Sequence, residues 1–121
     1  MRHAFILSAA AVLLPLMLSG PSFAAGAIAV DDQADTAPQD AGWGLVTGEA
    51  SREAAATAAL RECRKRGNDT CKVVVRFDTC GAYVSSRTHY GIGWGGTLAA
   101  AQSMAQEKCG SGCAVVASEC E

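Results

Sequence analysis

The sequence predicts an α+β fold: two β-β-α-β repeat units forming one small, disulfide-stapled domain with an antiparallel sheet and two helices. Two alanine-rich segments with helical spacing each end in a cysteine, Cys63 and Cys109. In each half, short apolar stretches typical of strands precede the helix, and a further strand and cysteine follow it. Because 121 residues suffice for one core only, the similar halves predict a single duplicated domain.

The first 24 residues have the features of an export signal. A short basic start is followed by an apolar run over residues 4–18, and small residues lead up to Ala24. The run is too short to cross a bilayer comfortably, so we expect cleavage after Ala24 rather than a retained anchor. Residues 25–121 would then form an exported bacterial protein, periplasmic or secreted, without stable membrane insertion.

The charges are nearly balanced, with 10 Lys and Arg against 12 Asp and Glu and a formal net charge of −2. A nucleic-acid binder would show a marked basic excess, so we expect no nucleic-acid partner. Several aspartates, including Asp35 and Asp40, lie together in residues 31–40, with Pro38 among them. This segment predicts a flexible loop, and the second half has no counterpart to it.

The first repeat, about residues 26–80, is predicted to contain three strands and one helix. Ser51 stands where a helix N-cap is expected, and basic residues crowd the other end of the segment. We expect this helix to end near Arg66, because Gly67 follows it. The strand candidates, judged from β-branched residues and alternation, are residues 27–30, 43–47 and 72–77.

The second repeat, about residues 81–121, follows the same plan. Thr97 is the expected N-cap of a helix over residues 98–108, and Gly110 ends it. The strand candidates are residues 82–84, 90–94 and 114–119. When the two helices are aligned on their caps and cysteines, matched alanines fall on one face, where they would let each helix approach a sheet closely: Ala55 with Ala101 and Ala59 with Ala105.

Six cysteines in an exported chain predict disulfides, for which the sequence alone allows fifteen pairings. The repeat favours two local bridges and one between the halves, where Cys80 and Cys120 would each follow the last strand of a half. Close pairs of the C-x-x-C type, expected of zinc sites and redox centres, do not occur, so we expect neither metal nor cofactor. The favoured pairs are Cys63–Cys71, Cys109–Cys113 and Cys80–Cys120.

The doubled pattern of alanines, glycines, aromatic residues and cysteines resembles a known family. In the first half it comprises Ala27-Ile28-Ala29, Trp43-Gly44, Glu53-Ala54, Ala58-Ala59-Leu60, Cys63, Cys71 and Cys80. In the second half it comprises Tyr90-Gly91, Gly93-Trp94, Ala100-Ala101, Cys109, Cys113 and Cys120. The chain thus resembles the family known as domain of unknown function 4189. The resemblance implies export from a bacterial cell, duplication and disulfides, and it carries no catalytic residue onto this chain.

A glycine-rich stretch before the second helix, residues 91–96, fits the pattern G-x-G-x-x-G of dinucleotide-binding proteins. In those proteins the glycines let backbone amides approach a pyrophosphate at a helix start. A domain of this size cannot supply the doubly wound sheet which that motif requires. We therefore interpret the glycines as serving a tight turn and close packing of helix on sheet.

Only one histidine, His89, remains after the predicted cleavage, and it lies in the expected turn after the strand at 82–84. Hydrolytic chemistry would need it beside a nucleophile and an orienting carboxylate. Ser85, Ser86 and Asp78 are the available groups, but none lies in a recognisable catalytic motif. An exposed turn histidine is the simpler interpretation.

No catalytic, cofactor-binding or metal-ligating residue stands out, so we expect the protein not to be an enzyme. The favoured function is a non-catalytic protein-binding or inhibitor-type module acting in the bacterial envelope or outside the cell. Its partner surface would combine the acidic loop, residues 31–40, with the glycine-aromatic hairpin, residues 90–96. The alternatives are a small secreted hydrolase using His89 and a self-associating structural protein of the envelope. The residues expected at the partner surface are Asp35, Asp40, Tyr90 and Trp94.

Overall fold

The computed structural model describes residues 24–121, so the predicted signal over residues 1–24 lies almost wholly outside the described part. The element order β-β-α-β occurs twice, and the predicted α+β class is confirmed. The first set comprises β1 (Ala25–Asp31), a short 3-10 helix (Pro38–Asp40), β2 (Gly42–Glu49), α1 (Arg52–Lys65) and β3 (Lys72–Phe77). The second set comprises β4 (Cys80–Ser85), β5 (Tyr90–Gly95), α2 (Leu98–Cys109) and β6 (Ala114–Cys120).

The strands form two antiparallel sheets of three strands each. The sequence predicted antiparallel pairing but did not predict that the strands divide into two sheets. The first sheet has the order β2-β1-β3, and the second has the corresponding order β5-β4-β6. The first strand of each set is therefore central, and the other two strands are its edges. Each helix connects the two edge strands of its own sheet.

Each helix packs on its sheet through small side chains, as the alanine spacing predicted. In the first half the contact is formed by alanines of β1 and by the buried face of α1. In the second half it is formed by β4 and the matching face of α2. Short side chains on both surfaces let the helix backbone lie close to the strands. The helix residues in these two contacts are Ala55, Ala59 and Cys63 in α1, and Ala101, Ala105 and Cys109 in α2.

Larger side chains fill the space between the two sheets. Successive residues of a strand point to opposite faces, so β1 presents alanines to α1 and presents Ile28 and Val30 to this central layer. Phe77 and Tyr83 join them from β3 and β4. Each buried large side chain stabilises the fold by about 1.5–3 kcal/mol relative to exposure. The domain is thus layered helix, sheet, sheet, helix.

Both predicted helix caps are present. The Ser51 Oγ accepts a hydrogen bond from the Ala54 N–H at 3.0 Å, and the Thr97 Oγ1 accepts one from the Ala100 N–H at 3.1 Å. These bonds satisfy amides that lack a partner within the helix. The predicted helix starts are therefore confirmed in both halves.

The six cysteines form Cys63–Cys71, Cys80–Cys120 and Cys109–Cys113, the three pairs that the repeat favours. One detail of the sequence interpretation was wrong. Cys80 does not follow the last strand of the first half; it begins β4, directly opposite Cys120 on β6. Its bridge therefore links two strands of the second sheet instead of joining the halves. The extended pairing at this end of β4 depends on residues 40 positions away, which local sequence does not reveal.

The acidic segment, predicted to be a flexible loop, is held at several points. Asp31 accepts hydrogen bonds from the Thr70 N–H at 3.1 Å and the Thr70 Oγ1 at 2.6 Å. Asp32 accepts one from the Tyr83 hydroxyl, and the Asp35 carbonyl accepts one from Arg87 Nη1 at 3.0 Å. Polar composition suggested flexibility. It could not reveal these hydrogen bonds, because all the partners lie far away in the sequence. The loop instead connects the first half to the second.

Candidate functional site

A cleft of about 850 Å³ lies where the edge strand β3 of the first sheet meets the edge strand β5 of the second. Its apolar wall includes Val75 and Phe77 from β3 and Ile92 and Trp94 from β5. The volume lies in the range of sites that hold ligands in proteins. The two walls belong to different sheets, so the cleft exists only because the sheets pack together.

The two faces of β5 have different roles. Gly91 and Gly93 face α2 so closely that a Cβ on either would lie 1.9 Å from a helix carbonyl, that of Ala105 or Ala101. Only glycine permits this approach. Gly96, the last glycine of the G-x-G-x-x-G pattern, has open space around it. Two of the three fixed glycines of the motif thus serve helix packing, which supports the structural interpretation.

The opposite face of β5 presents large aromatic side chains to the cleft. Tyr90 is 59% exposed and Trp94 is 51% exposed, although both line the cleft wall. The Tyr90 ring stacks on Tyr83 with 6.1 Å between ring centroids. Lys108 Nζ lies 4.4 Å from the Trp94 ring centroid, within the range of a cation–π contact. One side of each ring is therefore held in place.

Tyr83 ties the stacked ring to the acidic loop. Its side chain is buried, and its hydroxyl donates a hydrogen bond to Asp32. Burial, together with that hydrogen bond to a carboxylate, raises the pKa of Tyr83 above its usual range. Tyr83 therefore stays protonated and remains a hydrogen-bond donor. Its hydrogen bond to Asp32 holds the ring on which Tyr90 stacks.

The rim of the cleft carries an excess of positive charge. Arg52 Nε donates to Asp78 Oδ1 at 3.0 Å, and Arg52 Nη2 also contacts Asp78 Oδ2. This bidentate hydrogen bond holds the pKa of the Asp78 carboxyl below its usual range, so Arg52 and Asp78 neutralise each other. Arg76 and Lys108 remain as cations of the cleft lining, and no carboxylate of the described residues lies opposite them there. The chain as a whole has a net charge of −2, which makes this local excess distinctive.

The residues of the hydrolase alternative are not assembled. His89 is exposed in the β4–β5 turn, and its ring Nδ1 lies 2.9 Å from Thr88 Oγ1. The Ser86 hydroxyl is engaged with backbone atoms of the same turn. The Ser85 hydroxyl is buried without a hydrogen-bond partner among the described residues. Asp78 is held by Arg52, so within residues 24–121 no serine and carboxylate meet the histidine ring.

The predicted partner surface is only partly brought together. Tyr90 and Trp94 share the cleft, whereas Asp35 and Asp40 are not among its lining residues. The sequence interpretation missed other side chains that line the cleft, among them Arg52, Phe77, Arg76, Ile92 and Lys108. Ile92 could have been found, because it stands between Tyr90 and Trp94 at a spacing of two in a strand. The residues of β3 carry no such signal, since they come from the other sheet.

Two further structural properties concern residues 24–121 only. Neither helix there is long and apolar enough to cross a membrane. In the same residues, no group of three or more His, Cys, Asp or Glu side chains is arranged to hold a metal ion.

The fold and the cleft together define a class of protein, a disulfide-bonded α+β domain with two sheets between two helices and an aromatic cleft at one sheet junction. The chain belongs to the family described as domain of unknown function (DUF4189), whose model matches residues 25–120. The resemblance inferred from the sequence is therefore confirmed.

The chain is also similar to individual mycobacterial proteins. Protein Rv1269c of Mycobacterium tuberculosis and Protein Mb1300c of Mycobacterium bovis are each 39% identical to it over 70 residues, which cover 58% of this chain. The match spans about half of these curated relatives, 54% of their length. The NMR structure of Rv1813c from Mycobacterium tuberculosis is 27% identical with a TM-score of 0.58, and that match covers 100% of this chain and 97% of the other.

Proposed function

We propose that this protein is an exported, non-catalytic binding module that holds a protein partner in the cleft between β3 and β5. The observation that carries the proposal is the exposure of Tyr90 and Trp94 on one wall of that cleft. Export rests on the signal-like start of the sequence and on six cysteines that all pair.

The aromatic side chains supply the affinity in this proposal. Tyrosine and tryptophan are frequent anchors of protein interfaces because they bury a large area with few rotatable bonds. Tyr83 and Lys108 hold one side of each ring, so little side-chain freedom is lost on binding. Three disulfides add stiffness to the scaffold on which the rings stand.

The other candidate functions have weaker support. A hydrolase would need His89 beside a serine or carboxylate, and the ring instead contacts Thr88. Nucleic-acid binding would need a larger basic surface than Arg76 and Lys108 provide. The acidic loop, with Asp35 and Asp40, is a separate candidate surface that the cleft does not include.

The test is affinity capture followed by a binding measurement. The mature, oxidised protein is immobilised and exposed to envelope extract and culture medium of its own cell, and the retained partner is purified. We expect Trp94→Ala to weaken binding of that partner by about tenfold or more, because an interface anchor is lost. The control is Val115→Ala, which removes an exposed apolar side chain of β6 outside the cleft.

The outcomes separate clearly. Loss of binding in Trp94→Ala, with full binding in Val115→Ala, supports the proposal. Equal binding by wild type, Trp94→Ala and a Tyr90→Ala variant would show that the partner is recognised elsewhere. Circular dichroism of each variant shows whether a lost affinity reflects a lost fold.

A further inference from the structure

The edge strand β5 differs from the other edge strands of the described residues. Its pairing with β4 has no register shift, and its sequence YGIGWG has no charged residue. Strand β3 has a bulge at Val74 and carries Lys72 and Arg76, and β6 has a bulge at Val116 and carries Glu119. Strand β2 has a register shift near its end and carries a glutamate.

Bulges and charges on an edge strand are common protection against pairing with another chain. By this criterion three of the edges are protected, and β5 is open. An open, regular edge beside exposed aromatic side chains is suited to accept one more strand.

We propose that β5 binds an extended acidic segment of a protein partner by strand addition, which extends the second sheet by one strand. This inference rests on the proposed function and specifies how the cleft recognises its partner. Backbone hydrogen bonds to β5 would supply pairing, and alternate side chains of the added strand would supply selectivity. Those on one face would pack on Tyr90 and Trp94.

The acidic character of the segment follows from the charges around β5. Lys108 extends from the last turn of α2 to the Trp94 ring, and Arg76 lines the opposite wall. Among the described residues, Asp78 is the only carboxylate of the lining, and it is already engaged by Arg52. A strand with Asp or Glu at alternate positions would provide the missing negative charges.

A second copy of this chain fits the edge less well. Symmetric pairing would place one β5 against another, and β5 contains no carboxylate to face Arg76 and Lys108. It would bring two sets of these cations to one junction and pair none of them. Charge complementarity therefore favours an acidic partner strand over self-association.

The test is amide hydrogen exchange measured by NMR on the mature, oxidised protein. The probe is a blocked heptapeptide, Glu-Val-Glu-Phe-Glu-Val-Glu, and its counterpart has every Glu replaced by Lys. We expect the acidic peptide at saturation to slow exchange of the outward-facing β5 amides by about tenfold or more, and the lysine peptide to have little effect. N-methylation of alternate peptide amides should abolish the protection, because methylated amides cannot donate.

A charge-reversal pair sharpens the test. We expect Lys108→Glu to lower the affinity for the acidic peptide by about fivefold, since it replaces an attractive charge at the β5 edge by a repulsive one. Lys72→Glu makes the same change in net charge on an exposed residue outside the cleft lining, and it should leave binding unaltered.

Four results would overturn the inference. Absence of β5 protection at saturating peptide would exclude strand addition, and equal protection by both peptides would exclude acidic selectivity. Protection of β5 without peptide that grows with protein concentration would identify a second copy as the occupant. If the captured partner still depends on Trp94 while β5 amides stay unprotected in that complex, the proposed function stands and strand addition falls.

Discussion

The two halves of the molecule share a close approach of helix to strand, but they differ in how far glycine extends along that contact and in the cleft beside each sheet. Gly44 of β2 approaches α1 so closely that a Cβ would lie 2.3 Å from the Cys63 nitrogen. Gly91 of β5 stands in the same relation to α2, with Cys109 in place of Cys63. Two residues further along the strand, the first half has Val46 and the second half has Gly93. The second helix therefore meets a strand face made only of glycines.

The faces of β2 and β5 that point away from the helices differ more. Trp43 of β2 is half-buried, and the Arg66 guanidinium lies 4.1 Å from its ring centroid. Trp43 lines a recess of about 350 Å³ between β2 and β6, the counterpart of the 850 Å³ cleft between β3 and β5. The same architecture thus provides two sheet junctions, and only one of them carries an open aromatic wall. The scaffold is common to both halves, whereas the candidate binding surface belongs to one junction.

The largest expected effect concerns the cysteine bridge that only the second half has. Replacing Cys80 and Cys120 by alanine should lower the free energy of unfolding by about 4 kcal/mol, because a bridge spanning 40 residues restricts the unfolded chain most. Replacing Cys109 and Cys113, only 4 residues apart, should cost about 2 kcal/mol. Urea unfolding followed by circular dichroism measures both, with the Cys63–Cys71 pair as a third case. Equal losses for all three pairs would refute the chain-entropy account.

The glycine face of β5 gives the next effect. Gly93→Ala should destabilise by about 3 kcal/mol, because the new Cβ would meet the Ala101 carbonyl oxygen at 1.9 Å and backbone must move to admit it. Gly96→Ala is the matched control, since no atom of the described residues lies within 4 Å of its Cβ position. Thermal and urea unfolding of the pair measure the difference. A Gly93→Ala protein as stable as the control would show that α2 packs less tightly than the structure indicates.

The sequence predicted the elements well because their signals are local. Helix starts follow from Ser51 and Thr97, helix faces from the spacing of alanines and cysteines, and β3 from alternation. The cleft could not be predicted, because Phe77 and Ile92 come from different sheets and meet only through long-range packing. The wrong position of Cys80 has the same cause.

The acidic segment is a loop, as predicted, but the contacts that hold it were not predicted, for a related reason. Its composition is typical of a flexible loop, but composition does not show distant hydrogen-bond partners. Thr70, Tyr83 and Arg87 each bind it from another part of the chain. This segment is also the part of the first half that the second half lacks, so its attachment can be tested as a feature of one half.

Removing the Thr70 hydroxyl should give a small, pH-dependent effect. Hydrogen bonds from Thr70 lower the pKa of Asp31 below its usual 3.8, so the bond stabilises the fold above that value. The contribution disappears as the pH falls through the lowered pKa of the folded state. Thr70→Val should therefore cost about 0.5 kcal/mol at neutral pH and almost nothing well below the carboxyl pKa. Urea midpoints at both pH values measure this.

The control for the loop is Asp40→Asn, which removes an exposed carboxylate of the same segment without touching the Thr70 contact. It should leave the pH dependence unchanged. A Thr70→Val deficit that persists fully in acid would show that the hydroxyl acts through packing and not through the Asp31 carboxylate.

The smallest effect on stability is expected from Trp94 of the second half, and Trp43 of the first half is its comparison. Trp94→Phe should change the free energy of unfolding by about 0.5 kcal/mol or less, because the side chain is 51% exposed. Trp43→Phe should cost about 1 kcal/mol, since Trp43 packs against the central layer between the sheets. The same variants report exposure directly: the protein that retains only Trp94 should fluoresce at longer wavelength and be quenched more strongly by acrylamide. If the two tryptophans were equally protected, the β5 wall would be closed, and the difference between the two junctions would lie in size alone.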